Sequence, residues 1–205
     1  MDHGKAPDAC AAGVAFIDAQ VLMLNTHAGL LAKWIEEGGN APDLGAAERL
    51  LEFRHARPEE HAHSEDGTPT KGDSTDNAPV WPSFNEPSQR VAFALHVPCM
   101  NAIIAVGDFF DVHRLSASRT PEVQFLMHLR DAALNANIFS ITAGEHRPHA
   151  AFGGLVIDEK LDGNAMFGDD ARKGFIAFGD VVGLLRYLRK LLRSMQTAIS
   201  AGDAG

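Results

Sequence analysis

Residues 120–141, TPEVQFLMHLRDAALNANIFSI, set the architecture of the chain. Thr120 suits a helix N-cap, and Pro121 suits the first helical position, where a missing N–H costs nothing. Glu122 adds negative charge at the positive end of the helix dipole. Phe125, Leu126, Leu129, Ala132, Ala133 and Ala136 then recur at helical spacing and predict one buried stripe. Arg130 and Asp131 fall late in this helix, and Asn135 and Asn137 follow as it runs out. A stripe of that kind needs partners to cover it, so this is an internal helix of a larger bundle. The polar residues at its end form the first candidate site.

The flanking sequence supplies the partners. Residues 11–37 read as a long helix, because Val14, Ile17, Val21, Leu24, Ala28, Leu31 and Ile35 step by three and four. Gly38 and Gly39 stop it, since glycine accepts the left-handed conformation of a C-cap. A pattern of about four heptads suits a helix inside one bundle better than a dimeric coiled coil. Pro42 and Asp43 open a second helix reaching about residue 55. Residues 88–115 predict a further core helix, with Val91, Leu95, Cys99, Ala102, Val106 and Phe109 in period and Pro98 as its kink. Residues 91–97 also alternate like a strand, but the helical period carries across Pro98. Asp108, Asp111, His113 and Arg114 end this helix. A salt bridge from Arg114 or Arg130 to one of these carboxylates is the expected structural use of the charges.

Past residue 141 the period changes. Residues 151–158, 165–167 and 174–178 are short apolar runs separated by Asp162-Gly163 and Gly168-Asp169, which signals a small antiparallel sheet of two or three strands. Asp180 then caps a last helix reaching about residue 199, whose apolar face carries Leu184, Leu188 and Leu192. Arg186, Arg189, Lys190 and Arg193 lie opposite, as a solvated face or a landing surface for phosphate or an acidic partner. The expected fold is mainly α: one domain over residues 1–205, an antiparallel bundle of four to five helices with a small antiparallel sheet before the C-terminal helix.

Residues 57–87 differ in kind. Five prolines among Glu, Asp, Ser, Thr and Gly leave too little apolar surface to offset ordering, so the segment reads as a flexible acidic loop, with Val80, Trp81 and Phe84 as docking exceptions. His55, Glu59, Glu60, His61, His63 and Glu65 lie in and beside it. Metal ligands need fixed geometry, so this group reads as solvated and no metal is expected. With 205 residues, 45% apolar and 22% charged, the composition is that of a globular domain. A net charge of −9 argues against a coat for long nucleic acid while leaving room for a local phosphate site. Cys10 and Cys99 imply neither a disulfide framework nor a zinc site. No signal-peptide pattern and no uninterrupted apolar span of eighteen residues is present, so the expectation is a cytoplasmic protein without a membrane partner.

Arg130-Asp131, a short spacer of small and apolar residues and a polar residue at a helix end resemble the signature of HEPN domains. These are all-α dimeric modules, many of them metal-independent endoribonucleases, whose motif is Arg, a spacer of about four to six residues, then His. The resemblance implies a homodimer, no cofactor, and a setting in defence or toxin–antitoxin systems, with RNA, a nucleotide or an antitoxin as partner. The chain departs at the second half of the motif: Asn135 stands where His should, and Asn137 at the longer spacing. Arg can hold a phosphate as charge builds on it, and His can move a proton near neutrality. Asn135 cannot titrate, so His128 is the replacement imidazole nearest in sequence, ahead of His146 and His149. The candidate catalytic residues are therefore Arg130, Asp131, Asn135 and His128, with catalysis weakened or lost. The alternative is a non-enzymatic dimeric interaction module in which Arg130 and Asp131 only hold helices or subunits together. A small-molecule enzyme ranks third, because the chain has no Gly-rich phosphate loop, nucleophile elbow or HExxH.

Overall fold

The computed structural model describes residues 5–37, 87–142, 148–168 and 174–202. Within them the chain is mainly helical: α1 (Lys5–Glu36), α2 (Pro87–Val112), α3 (Pro121–Leu134) and α4 (Phe178–Gly202). A two-stranded antiparallel sheet, β1 (Ala150–Phe152) and β2 (Leu155–Ile157), precedes α4. The expected fold class holds. The helix expected over residues 42–55 and the acidic loop of residues 57–87 lie outside the described residues, apart from Pro87 at the start of α2.

The core joins all of these elements. Ile17 and Leu24 of α1, Ile103, Val106 and Phe110 of α2, Phe125, Leu126 and Leu129 of α3, and Leu184, Leu185 and Leu188 of α4 are buried together. α1 packs most extensively on α4, and α3 on α2 and β1. The helix of residues 11–37 thus begins earlier than its sequence suggests and ends, as expected, before Gly38. Tyr187 of α4 ties back to α3 by a hydrogen bond to Glu122, and this bond, with lesser help from desolvation, holds the phenol above its ordinary pKa.

α2 runs unbroken through Pro98, so the proline does not start a fresh helix, and another residue completes the backbone pairing there. Proline has no N–H for the carbonyl four residues back, so Ala94 O would be left without its helical partner. His27 Nε2 of α1 lies 2.8 Å from that oxygen and donates to it. One histidine therefore repairs the ladder and pins α1 to α2. His27→Ala should cost about 1–2 kcal/mol by stranding a part-buried carbonyl. In a Pro98→Ala background, where residue 98 supplies its own N–H, the same change should cost clearly less. Denaturant unfolding of the four proteins in this double-mutant cycle measures the difference, and equal costs in both backgrounds would refute the pairing.

α3 starts as expected, with Thr120 at the N-cap and Pro121 in the first turn, but the Thr120 hydroxyl does not cap. It bonds Ser118 Oγ at 2.6 Å, while Gln124 Nε2 reaches back to Ser118 O, also at 2.6 Å. Ala136 drops out of the predicted stripe. α3 ends at Leu134, and Ala136 and Asn137 both take positive φ, 52° and 70°, so the chain leaves the helix axis.

The sheet is where expectation and structure part most. Its turn is not at Asp162-Gly163 but at Gly153-Gly154, inside the run of residues 151–158, and pairs Phe152 with Leu155. φ values of 58° and 86° suit the two-residue turn that matches strand twist, and two glycines adopt them without strain. Residues 165–167 and 174–178 supply only isolated bridges, Ile138 to Ala165 and Phe167 to Ile176. Asp180 also shifts role. It stands at the third helical position, and its Oδ2 accepts from Ala177 N at 2.9 Å, the reach-back half of a capping box.

Candidate functional site

Arg130 lies one turn from the end of α3. Its Nε and Nη2 both lie 2.6 Å from Asp108 Oδ1 on α2, and its Nη1 lies 3.8 Å from Asp131 Oδ1. The side chain is 22% exposed, against 50% for Asp108. Its stem runs across Gly107: a Cβ there would stand 2.6 Å from Arg130 Cδ. Two donors converging on one carboxylate oxygen at a bare point of α2 lock α2 to α3. The expected structural salt bridge is therefore present, with Asp108 as the carboxylate. Asp111 instead accepts from Ser116 Oγ at 3.0 Å, and His113 packs its ring 4.3 Å from that of Phe109.

The two Asn residues of the motif serve the backbone. Asn135 is the C-cap of α3, exposed, with Nδ2 donating to Ile138 O at 3.0 Å. Asn137 is more tightly held. Its Nδ2 donates to Phe167 O at 2.9 Å and its Oδ1 accepts from Phe167 N at 2.8 Å, so one side chain imitates a strand partner. Asn tolerates the left-handed φ this position needs, and its amide offers both a donor and an acceptor.

His128 does not join Arg130. Residues two apart on a helix point to different sides, and His128 instead lines a groove of about 520 Å³ between α3 and the hairpin. His149, Asp158 and Lys160 line the same groove above a floor including Ile141 and Ile157. Asp158 is committed to the local turn, accepting from Lys160 N at 2.9 Å. His146 lies outside the described residues. The structure thus places the four sequence candidates in separate roles: Arg130 with Asp108 and Asp131, Asn135 at a cap, His128 in a groove. Sequence reasoning missed Lys160, Gly107 and His27; only Pro98, whose missing N–H calls for an outside donor, hinted at the last.

Both thiols are free and buried. Burial raises the pKa of Cys10 and pushes that of Cys99 up from 9.0 to about 12. Both should resist an aromatic disulfide reagent at pH 8 in the folded protein and react fully in denaturant, and native-state labelling would contradict this burial. A thiol with a raised folded pKa adds stability below pH 9 that fades as pH climbs from 9 toward 12. Cys99→Val should flatten that fall. Among the described residues no group of three His, Cys, Asp or Glu is placed to hold a metal ion.

The basic residues of α4 divide. Arg189 Nε lies 2.5 Å from Asp18 Oδ1 of α1, an ion pair whose N–H points off the line of a hydrogen bond. Arg186, Lys190 and Arg193 are exposed, and their side chains have no hydrogen-bond or ion-pair partner among the described residues. α1 and α2 are also long and apolar enough, by length and composition, to cross a membrane, over Ala9–Glu36 and Ala94–Val112. In α2 part of that character is core, with Cys99, Ala102, Ile103, Val106 and Phe110 buried, though only 33% of the span is. In α1 much of it faces outward. No protein-family model, curated protein or solved structure matches the chain.

Proposed function

We propose that the chain is a HEPN-like helical bundle that acts as a non-enzymatic interaction module, with the motif Arg turned to scaffolding. The observation that carries this is the Arg130 guanidinium, held by two nitrogens at 2.6 Å on Asp108 and stacked across Gly107. A cation spent on a carboxylate is neutralised before any phosphate arrives. The two Asn amides bond backbone carbonyls and His128, the imidazole nearest in sequence, lines a groove on another side, so among the described residues the Arg130 contacts are carboxylates and not an imidazole. A second copy, as the family resemblance implies, and a protein such as an antitoxin are the partners this reading proposes.

Incubating wild type, Arg130→Ala and Asn135→His with a labelled single-stranded RNA tests it. None of the three should cleave, and Arg130→Ala should instead lose about 1 kcal/mol of stability through the freed Asp108. Cleavage by wild type that Arg130→Ala abolishes, with the helical circular dichroism unchanged, would overturn the reading. One observation favours a second reading. The groove beside His128 gathers two imidazoles and Lys160, with Asp158 and Glu159 at the same rim, over an apolar floor, a mixed lining that could take the base and sugar of a nucleotide or an RNA end. Binding there should weaken steeply with added salt and disappear in His149→Ala/Lys160→Ala.

A further inference from the structure

The outward side of α1 carries almost no charge. From Ala9 to Ala32 the only Asp, Glu, Lys or Arg is Asp18, and that residue is turned to Arg189. Twenty-four residues span about 36 Å of helix. Along this length Ala12, Ala15, Ala19, Leu22, Thr26 and Leu30 are exposed in steps of three and four, with Leu22 67% and Leu30 63% exposed. The solvent side of a globular helix ordinarily carries charges. This one does not.

α4 borders that stripe with charge of one sign. The two helices run antiparallel there: Gly13 of α1 lies against Leu192, and Asp18, five residues further on, meets Arg189, three residues back. Leu22 and Ala15 flank Asp18 by one turn on α1, and Arg186 and Arg193 flank Arg189 by one turn on α4. The unpaired cations therefore stand beside the uncharged stripe at the levels of Leu22 and Ala15, with Lys190 further round α4. The Asp18–Arg189 pair closes the seam between them and removes the face's one carboxylate from use.

We infer that this two-helix face is a docking surface for an amphipathic helix of a partner protein, one whose apolar side is edged with carboxylates. The apolar side lies along α1, and its Glu or Asp residues meet Arg186, Lys190 and Arg193. Charge complementarity argues for that occupant over a second copy docked through the same face, which would bring the same cations and only Asp18, already paired with Arg189. The make-up of the stripe argues for a helix over a lipid surface. Alanines let another helix approach closely, and the large exposed apolar residues of α1 are Leu22, Met23, Leu30 and Ile35, while Trp34, one turn past Leu30, is half-buried and already has a partner. This rests on the interaction-module reading and gives it a surface and a partner chemistry.

A labelled 21-residue Leu/Ala helical peptide with Glu along one edge of its apolar face, and a twin carrying Gln at those positions, test the surface on the full chain. The Glu peptide should bind, the Gln twin at least tenfold more weakly, and added salt should narrow the gap. Arg186→Glu/Lys190→Glu/Arg193→Glu should lose the preference for Glu, and Leu22→Glu should weaken both peptides; all four positions are exposed, so circular dichroism should not change. Equal binding of the twins, or no binding of either, overturns the inference. So does association with phosphatidylserine vesicles but not with the peptide, or self-association that Leu22→Glu abolishes. RNA cleavage lost in Arg130→Ala would remove the module reading and leave peptide binding untouched. A negative peptide titration without RNA cleavage would remove only this surface.

Discussion

Gly174→Ala should lower the stability of this protein by about 3 kcal/mol or more, an overpacking cost at the upper end of the usual range. A Cβ on residue 174 would stand 2.1 Å from Gly168 N and 2.8 Å from the Phe167 carbonyl carbon. Both are backbone atoms, so neither can swing away as a side-chain end would. Phe167 is held there by Asn137, and Ile176 bridges to it, so the added methyl pushes against a segment fixed from two sides. Gly13→Ala is the control. Its Cβ would also be crowded, 2.7 Å from Leu192 Cδ1 and 2.8 Å from Phe109 Cε1, but those are side-chain atoms that can shift. For a chain of this length, about 3 kcal/mol corresponds to a fall of about 6–12 °C in Tm. A thermal melt of Gly174→Ala within 2 °C of wild type, by the roughly 2–4 °C per kcal/mol that holds at this size, would show that the two backbone strands are not in contact.

Phe125→Ala should be comparably costly, about 3–5 kcal/mol, as a buried aromatic removed from a close-packed centre. Phe125 is 1% exposed, and its ring centroid lies 6.1 Å from that of Phe152 in β1 and 6.0 Å from that of Phe175. Phe175 in turn meets Phe139 edge-on at 5.4 Å, and Phe152 meets Tyr187 of α4 at 5.9 Å. The ring is therefore the point where α3, the hairpin and the segment leading into α4 hold one another. Its loss should loosen the hairpin before the helices. Hydrogen exchange at residues 150–157 should speed up more than exchange in α1, and urea unfolding should give the total cost. Uniform exchange with a cost under about 1 kcal/mol, well below the usual range for a buried Phe, would mean that the aromatic chain carries no load.

The same positions show how far the residues alone could be read. α3 and α4 are legible because helical periodicity is a local property: Leu126 and Leu129, or Leu184, Leu188 and Leu192, must share a side whatever lies opposite. Pro121 in the first turn of α3 is legible for the same reason, since backbone restrictions act within one or two residues. The hairpin was misplaced because Asp162-Gly163 and Gly153-Gly154 are both competent turns. Which one joins two strands depends on the run that β2 can pair with, and that run is three residues long.

The candidate site shows the opposite balance. Charge at the end of α3, and a carboxylate near the end of α2 to meet it, could be expected from spacing in the chain. That Asp108 and not Asp111 takes the guanidinium follows from Gly107, whose missing side chain opens the path for the Arg130 stem. That Asn137 grips Phe167, thirty residues away, follows from the turn out of α3. Helix positions, their apolar sides and the composition of their ends are written in the order of residues, because sterics and periodicity operate over a few of them. Whether a charge is spent on scaffold, left at a surface or turned toward a groove belongs to the folded assembly, because electrostatic partners are chosen by proximity in space.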